Sequence, residues 1–163
     1  VPNVNNALLA GSIAAAPSHP PATYQFKQHG LVDVVDLAKE RIPAINTGLV
    51  VPDAYIRAHA DTVQRVVNAV VQSVAREKSD QAFAMQVMRQ EMGVTDPAVA
   101  EYTYRFYAGE VLSDAPMPDE RQLEIAKQAL GQKVARARSM DLRQLVDQSF
   151  VRKALAQAAA GAQ

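Results

Sequence analysis

The side chains best placed for chemistry are a hydroxyl and an imidazole side by side, Ser18-His19, followed at once by Pro20-Pro21. Proline is tolerated in a first helical turn, where its missing N–H would be unpaired anyway, so Pro20-Pro21 reads as a helix start. The residue before a proline avoids the α region, which leaves His19 extended and exposed. The apolar run Ser12-Ile13-Ala14-Ala15-Ala16 before it reads as a short strand. A strand running into a helix start aims backbone N–H groups and a positive dipole end at whatever lies beyond, and that suits a small anion or polar ligand. The other reading of the same residues is an ordinary turn with Ser18 as the helix cap.

Beyond this pair the chemical inventory is thin. His19, His29 and His59 have no metal-ligand spacing, and His29 and His59 fall at expected helix ends. The chain contains no cysteine, which excludes a disulfide framework, a thiolate metal site and a cysteine nucleophile. It carries no nucleophile elbow, P-loop or dinucleotide glycine motif. Acid pairs such as Asp33/Asp36 and Asp119/Glu120 read as caps or solvated residues. The tyrosines and Phe106 of 97–109 have the types to line a ligand cleft, but core and interface is the favoured reading of them. These residues give enzyme chemistry no support, and they imply neither a metal nor a cofactor.

The elements that must position Ser18 and His19 come from the rest of the pattern. The 163 residues allow one domain of ordinary size, and Lys+Arg 17 against Asp+Glu 17 gives no whole-chain reason to expect nucleic acid. The basic residues Lys127, Lys133, Arg136, Arg138 and Arg143 are interspersed with Gln, Ala and acids, as on a solvated helix face. No apolar run approaches the roughly 20 residues of a membrane span. Val1-Pro2 reads as the start of a processed or truncated chain.

Taken in order, 3–9 reads as a helix stopped by Gly11, 11–16 as a strand, and Pro20 to His29 as a helix capped by Gly30. Tyr24 and Phe26, two apart, cannot both face a core. Segments 31–35 (LVDVV) and 47–51 (TGLVV) read as strands, with Asp36 capping a turn between them. From Pro52 onward the texture is helical. Asp61 caps a helix to about residue 78, with Val63, Val66, Val67, Val70, Val71 and Val74 as an apolar stripe to be packed on a sheet. Gln64, Arg65, Asn68, Gln72, Arg76 and Glu77 form its wet face. Asp80, Asp96 before Pro97, Asp119 or Glu120, and Asp141 begin the later helices, and the Ala-rich tail is expected to fray. The fold class expected is α/β and helix-rich.

The order GSIAAAPSHPP, a helix ending at Gly30, LVDVVDL, and INTGLVVPDAYIRAHADTVQRVVNAVVQSV resembles the C-terminal half of the solute-binding proteins of ABC importers. The similar group includes nitrate-, sulfonate-, taurine- and thiamine-pyrimidine-precursor-type binders, and Leu145 to Leu155 (LVDQSFVRKAL) is similar to its late D-x-S-F segment. Ala14 stands where that group often has Asp, and Ala60-Asp61 replaces its usual Pro-Asp.

The resemblance implies a two-lobe, type 2 periplasmic-binding-protein fold. Residues 1–45 would be the end of the second lobe and the approach to its hinge, and 46–163 the returning part of the first lobe. The first half of the protein would be missing. It further implies capture of a small polar or anionic solute without chemistry, at Ser18, His19, Asn46, Thr47 and Gly48. The partners implied are ABC permease subunits, and the location is the periplasm or the outer face of the cytoplasmic membrane. The alternatives are an enzyme on the same scaffold acting on a pyrimidine precursor, and a free-standing helical interaction protein.

Overall fold

A computed structural model describes residues 2–45 and 47–161. Among them the only regular elements are helical: α1 (Pro2–Leu9), α2 (Ala22–Gln28), α3 (Asp53–Ala58), α4 (Ala60–Ser79), α5 (Gln81–Glu91), α6 (Pro97–Phe106), α7 (Glu120–Lys133) and α8 (Ser149–Gly161). A π-helical turn, Tyr107–Val111, continues α6, and 3₁₀ turns occupy Ala135–Ser139 and Leu142–Leu145. The expected α/β class is therefore wrong: the described residues are all-α, and the α/β two-lobe frame falls with it.

The three expected strands fail for a common physical reason. A strand is stabilised by cross-strand partners and a half-buried pleated face rather than by its own propensity. Residues 31–35 and 47–51 have no pairing segment among the described residues, and all their side chains but Leu31 and Val51 are exposed, Val34 85% and Val50 92%. At 11–16, Gly11 (φ 69°) turns the chain in a Schellman motif, with the Gly11 N–H on the Leu8 carbonyl and the Ser12 N–H on Ala7. The alanines that follow have little tendency to extend.

Most of the expected caps hold, but Asp61 lies inside the first turn of α4, which begins at Ala60, and is not its cap. Asp80, Asp96, Asp119 and Asp141 each accept a backbone N–H from the first turn beyond them, at 2.7–3.1 Å. Asp119 and Gln122 complete a capping box, and Pro97 occupies the first turn of α6. Gly30 (φ 78°) closes α2 with a second Schellman motif, through Gly30 to Lys27 and Leu31 to Phe26. Asp36 caps its turn by accepting from Ala38 and Lys39. The expected start of α2 is displaced: Pro20-Pro21 precedes the helix and Pro21 is its N-cap residue, so Ser18 caps nothing. The Ala-rich tail, expected to fray, continues α8 as far as Gly161.

The chain divides into two compact units. The first is Val1–Glu40 with Arg76–Leu112. Ala84, Met88, Ala100 and Thr103 are buried on α5 and α6, which pack together, and Pro20 and Phe26 are buried as well. Phe26 is buried and Tyr24 only half-buried, as their spacing requires. Thr103, 1% exposed, satisfies its hydroxyl on the Val99 carbonyl at 2.7 Å. The last turn of α4 lies here too, where the Tyr104 hydroxyl donates to the Lys78 carbonyl at 3.1 Å. The Arg76 guanidinium sits 3.6 Å above the Phe83 ring.

The second unit is Arg41–Ala75 with Ser113–Gln163. Its core is the α4 stripe, but not in the arrangement the spacing suggests. Val63, Val67 and Val71 are buried against Ala154, with Phe150, Val151, Leu155, Val51 and Ile56 packed around them. The stripe thus meets helix α8 and not a sheet. Val66 and Val70 stay 44% and 45% exposed, while Gln64, expected on the wet face, is 8% exposed. The Gln64 side-chain amide donates to Asn68 Oδ1 at 2.8 Å and to the Phe150 carbonyl at 2.9 Å.

Two measurements check these assignments. Val71→Ala should cost about 2 kcal/mol, from two buried methyl groups and a residual cavity, whereas Val70→Ala should stay within about 0.5 kcal/mol in urea melts. Glu77 has no hydrogen-bond or ion-pair partner among the described residues, and burial raises its carboxyl pKa. A raised folded-state value means its contribution is favourable below the unfolded pKa and lost as pH rises, so the charge costs stability at pH 7. Glu77→Gln should therefore raise stability at pH 7 by less than about 1 kcal/mol, with the gain disappearing in acid.

Candidate functional site

Within the first unit, the segment leading into α2 meets the C-terminal end of α6. Pro20 is buried at this point. Its carbonyl lies 2.9 Å from His19 Nδ1 and 3.3 Å from the Tyr107 hydroxyl, which is itself 3.2 Å from Nδ1. A carbonyl only accepts, so Nδ1 carries the proton here and Tyr107 donates its own. The remaining ring nitrogen, Nε2, then presents a lone pair with no partner among the described residues. His19 and its neighbour Ser18 are both exposed, and the Ser18 hydroxyl is likewise without an internal partner.

A second row of polar groups backs this one along α2. The Thr23 hydroxyl donates to the Tyr102 hydroxyl at 3.4 Å, and the Tyr24 and Tyr102 rings meet with centroids 5.4 Å apart. Lys27 reaches 2.8 Å from Asp33 and lies 5.3 Å above the Tyr102 ring. Its hydrogen bond to Asp33, then that to Tyr102, holds the ammonium pKa above the ordinary lysine value. Burial raises the Tyr107 phenol, so it stays a neutral donor throughout the physiological range. Tyr107 begins the π-helical turn, a departure from α geometry that recurs at functional sites.

The other expected site residues fall elsewhere. Asn46 lies outside the described residues. Thr47 and Gly48 belong to the second unit, exposed on an irregular segment, and a Cβ at Gly48 would meet nothing within 4 Å. The sequence offers Tyr102 and Tyr107 as core and interface or as cleft-lining residues, and nothing in it pairs Tyr107 with His19, 88 residues away. The only local signal was the density of aromatic residues between 102 and 107. His29 and His59 do sit at helix ends, at the C-termini of α2 and α3. Among the described residues no group of three or more His, Cys, Asp or Glu is disposed to hold a metal ion.

The arrangement offers donors and acceptors around a shielded phenol, with no carboxylate or second imidazole beside His19 to move a proton. It can hold a polar molecule. The phenol's raised pKa also predicts a pH signature, because stability from a raised group is present below its unfolded value and lost as pH rises through the folded one. Tyr107→Phe should cost about 0.5–1.5 kcal/mol at pH 7 by loss of one neutral hydrogen bond. The difference from the parent should vanish in urea melts at pH values above the phenol's titration, while any alkaline loss due to Lys27 persists in both. Comparison of the chain with protein-family models, with curated proteins and with solved structures gives no match.

Proposed function

We propose that this chain captures a small polar or anionic organic solute and releases it unchanged, with Ser18 and His19 facing the solute. The observation that carries the proposal is the pairing at Pro20. His19 Nδ1 and the Tyr107 hydroxyl are both committed to one buried carbonyl, which orients the imidazole and leaves Nε2 and the Ser18 hydroxyl free for an external partner. Orientation before binding lowers the entropy cost of capture. Delivery to an ABC permease outside the cytoplasmic membrane completes the proposal, and motif order in the sequence is its support. The α/β two-lobe frame is not part of it.

A second reading, an interaction protein, has its own observation: Val32, Val34, Val35 and Leu37 stand 61–85% exposed within one short stretch. Sedimentation separates the two. Reversible self-association abolished by Val34→Thr favours the interaction reading, and a monomer at all concentrations removes it.

Calorimetric titration with methanesulfonate, taurine and an aminopyrimidine tests the capture reading. One of the three should bind, and Ser18→Ala should weaken it by about 0.5–1.5 kcal/mol. Because Ser18 caps no helix, the melting temperature should not move. His19→Gln should weaken binding at least as much. Affinity unchanged in both variants would overturn the assignment.

A further inference from the structure

Helix α7 carries a glycine, Gly131, in its last turns, where alanine would favour the helix by about 1 kcal/mol. The structure shows what the glycine permits. A Cβ at residue 131 would come within 2.9 Å of Arg138 Cγ, because the Arg138 side chain lies flat across the helix at that point. Arg138 Nε donates to the Gly131 carbonyl at 2.7 Å, satisfying one of the unpaired carbonyls at the end of α7. An exposed arginine is ordinarily a mobile one, but this one is held at its root and at its Nε. Its two terminal nitrogens have no partner among the described residues.

Arg138 lines an open cavity of about 360 Å³ with Glu124, Lys127, Gln128, Gly131 and Gln132. Lys127 makes no ion pair among the described residues. The Glu124 carboxylate accepts from Gln128 Nε2 at 3.4 Å, within its own helix. Two cations therefore face one carboxylate, with two side-chain amides able to add donors. The negative end of the α7 dipole opposes an anion here, and the bond from Arg138 to the Gly131 carbonyl offsets part of that pole.

We propose that this cavity is an oxyanion site, taking a phosphate or carboxylate group on the Arg138 fork with Lys127 as the second charge. A planar guanidinium fixed through Nε presents two parallel N–H donors, the geometry that phosphate and carboxylate oxygens accept in pairs. The basic residues of this region, scattered in the sequence, are thus sorted by the fold. Lys127 and Arg138 share a cavity. Lys133 and Arg136 do not line it. The site is independent of the Ser18-His19 surface and lies in the other unit.

The test is an amide-resolved NMR titration of the full chain with inorganic phosphate and, separately, with acetate, each against chloride at matched ionic strength. At least one oxyanion should give saturable shifts centred on Gly131, Gln132 and Arg138, and which one does so identifies the group as phosphate or carboxylate. Arg138→Lys keeps the charge but lacks the fork, and should weaken binding by about tenfold. Gly131→Ala keeps both charges but displaces Arg138, and should weaken it several-fold. Lys127→Gln, which touches no cap, should do the same and serves if either other variant folds poorly. The proposal is overturned if neither oxyanion exceeds chloride, or if the folded variants bind as the parent does. A lowered melting temperature with unchanged binding would reduce Arg138 to a helix cap.

Discussion

The contact on which most else depends is the burial of Val63, Val67 and Val71 on Ala154. Valine is a mediocre helix former, so twenty residues of α4 containing six valines gain little from intrinsic propensity. The helix persists because one face removes branched side chains from water, at about 1.5 kcal/mol or more for each fully buried valine. Ala154 is the buried residue of α8 against which the three valines pack. The same helix also supplies the Lys78 carbonyl to Tyr104, so α4 contributes packing to one unit and capping chemistry to the other.

Segments 31–35 and 47–51 illustrate the opposite case. They carry the residue types of strands, and a strand needs another strand. Without one, most of the branched side chains stay in solvent, and Val51 is buried in part by helices instead. The composition of these segments was read correctly and their conformation was not, because β structure is a property of pairs and only one member of each pair is visible in a local window.

What was legible followed the same division between local and distant interactions. Asp80, Asp96, Asp119 and Asp141 were identifiable as caps because the groups they bind lie two or three residues away. Gly11 and Gly30 were identifiable as stops for the same reason. Gln64 was placed on the wrong face because its partner, the Phe150 carbonyl, is 86 residues distant. Of the candidate site, Ser18 and His19 were marked out by their position before two prolines. The tyrosine that orients His19 was not, since nothing near Tyr107 refers to residue 19. Arg138 was grouped with its basic neighbours, and only the missing Cβ at Gly131 sets it apart.

A stripe of valines repeated every four residues fits a neighbouring helix almost equally well after a slide of four residues, about 6 Å along the axis. Apolar contact alone is thus nearly degenerate in translation. The amides remove the degeneracy. Gln64 reaches the Phe150 carbonyl, and Asn68, which accepts from Gln64, donates in turn to Gln157 Oε1 at 3.0 Å. Such a slide would break both cross-helix bonds and strand the buried Gln64 amide in an apolar seam, at a cost of about 1–3 kcal/mol for the unpaired group. These three side chains act as a key, setting which valine meets which alanine while the valines supply the adhesion.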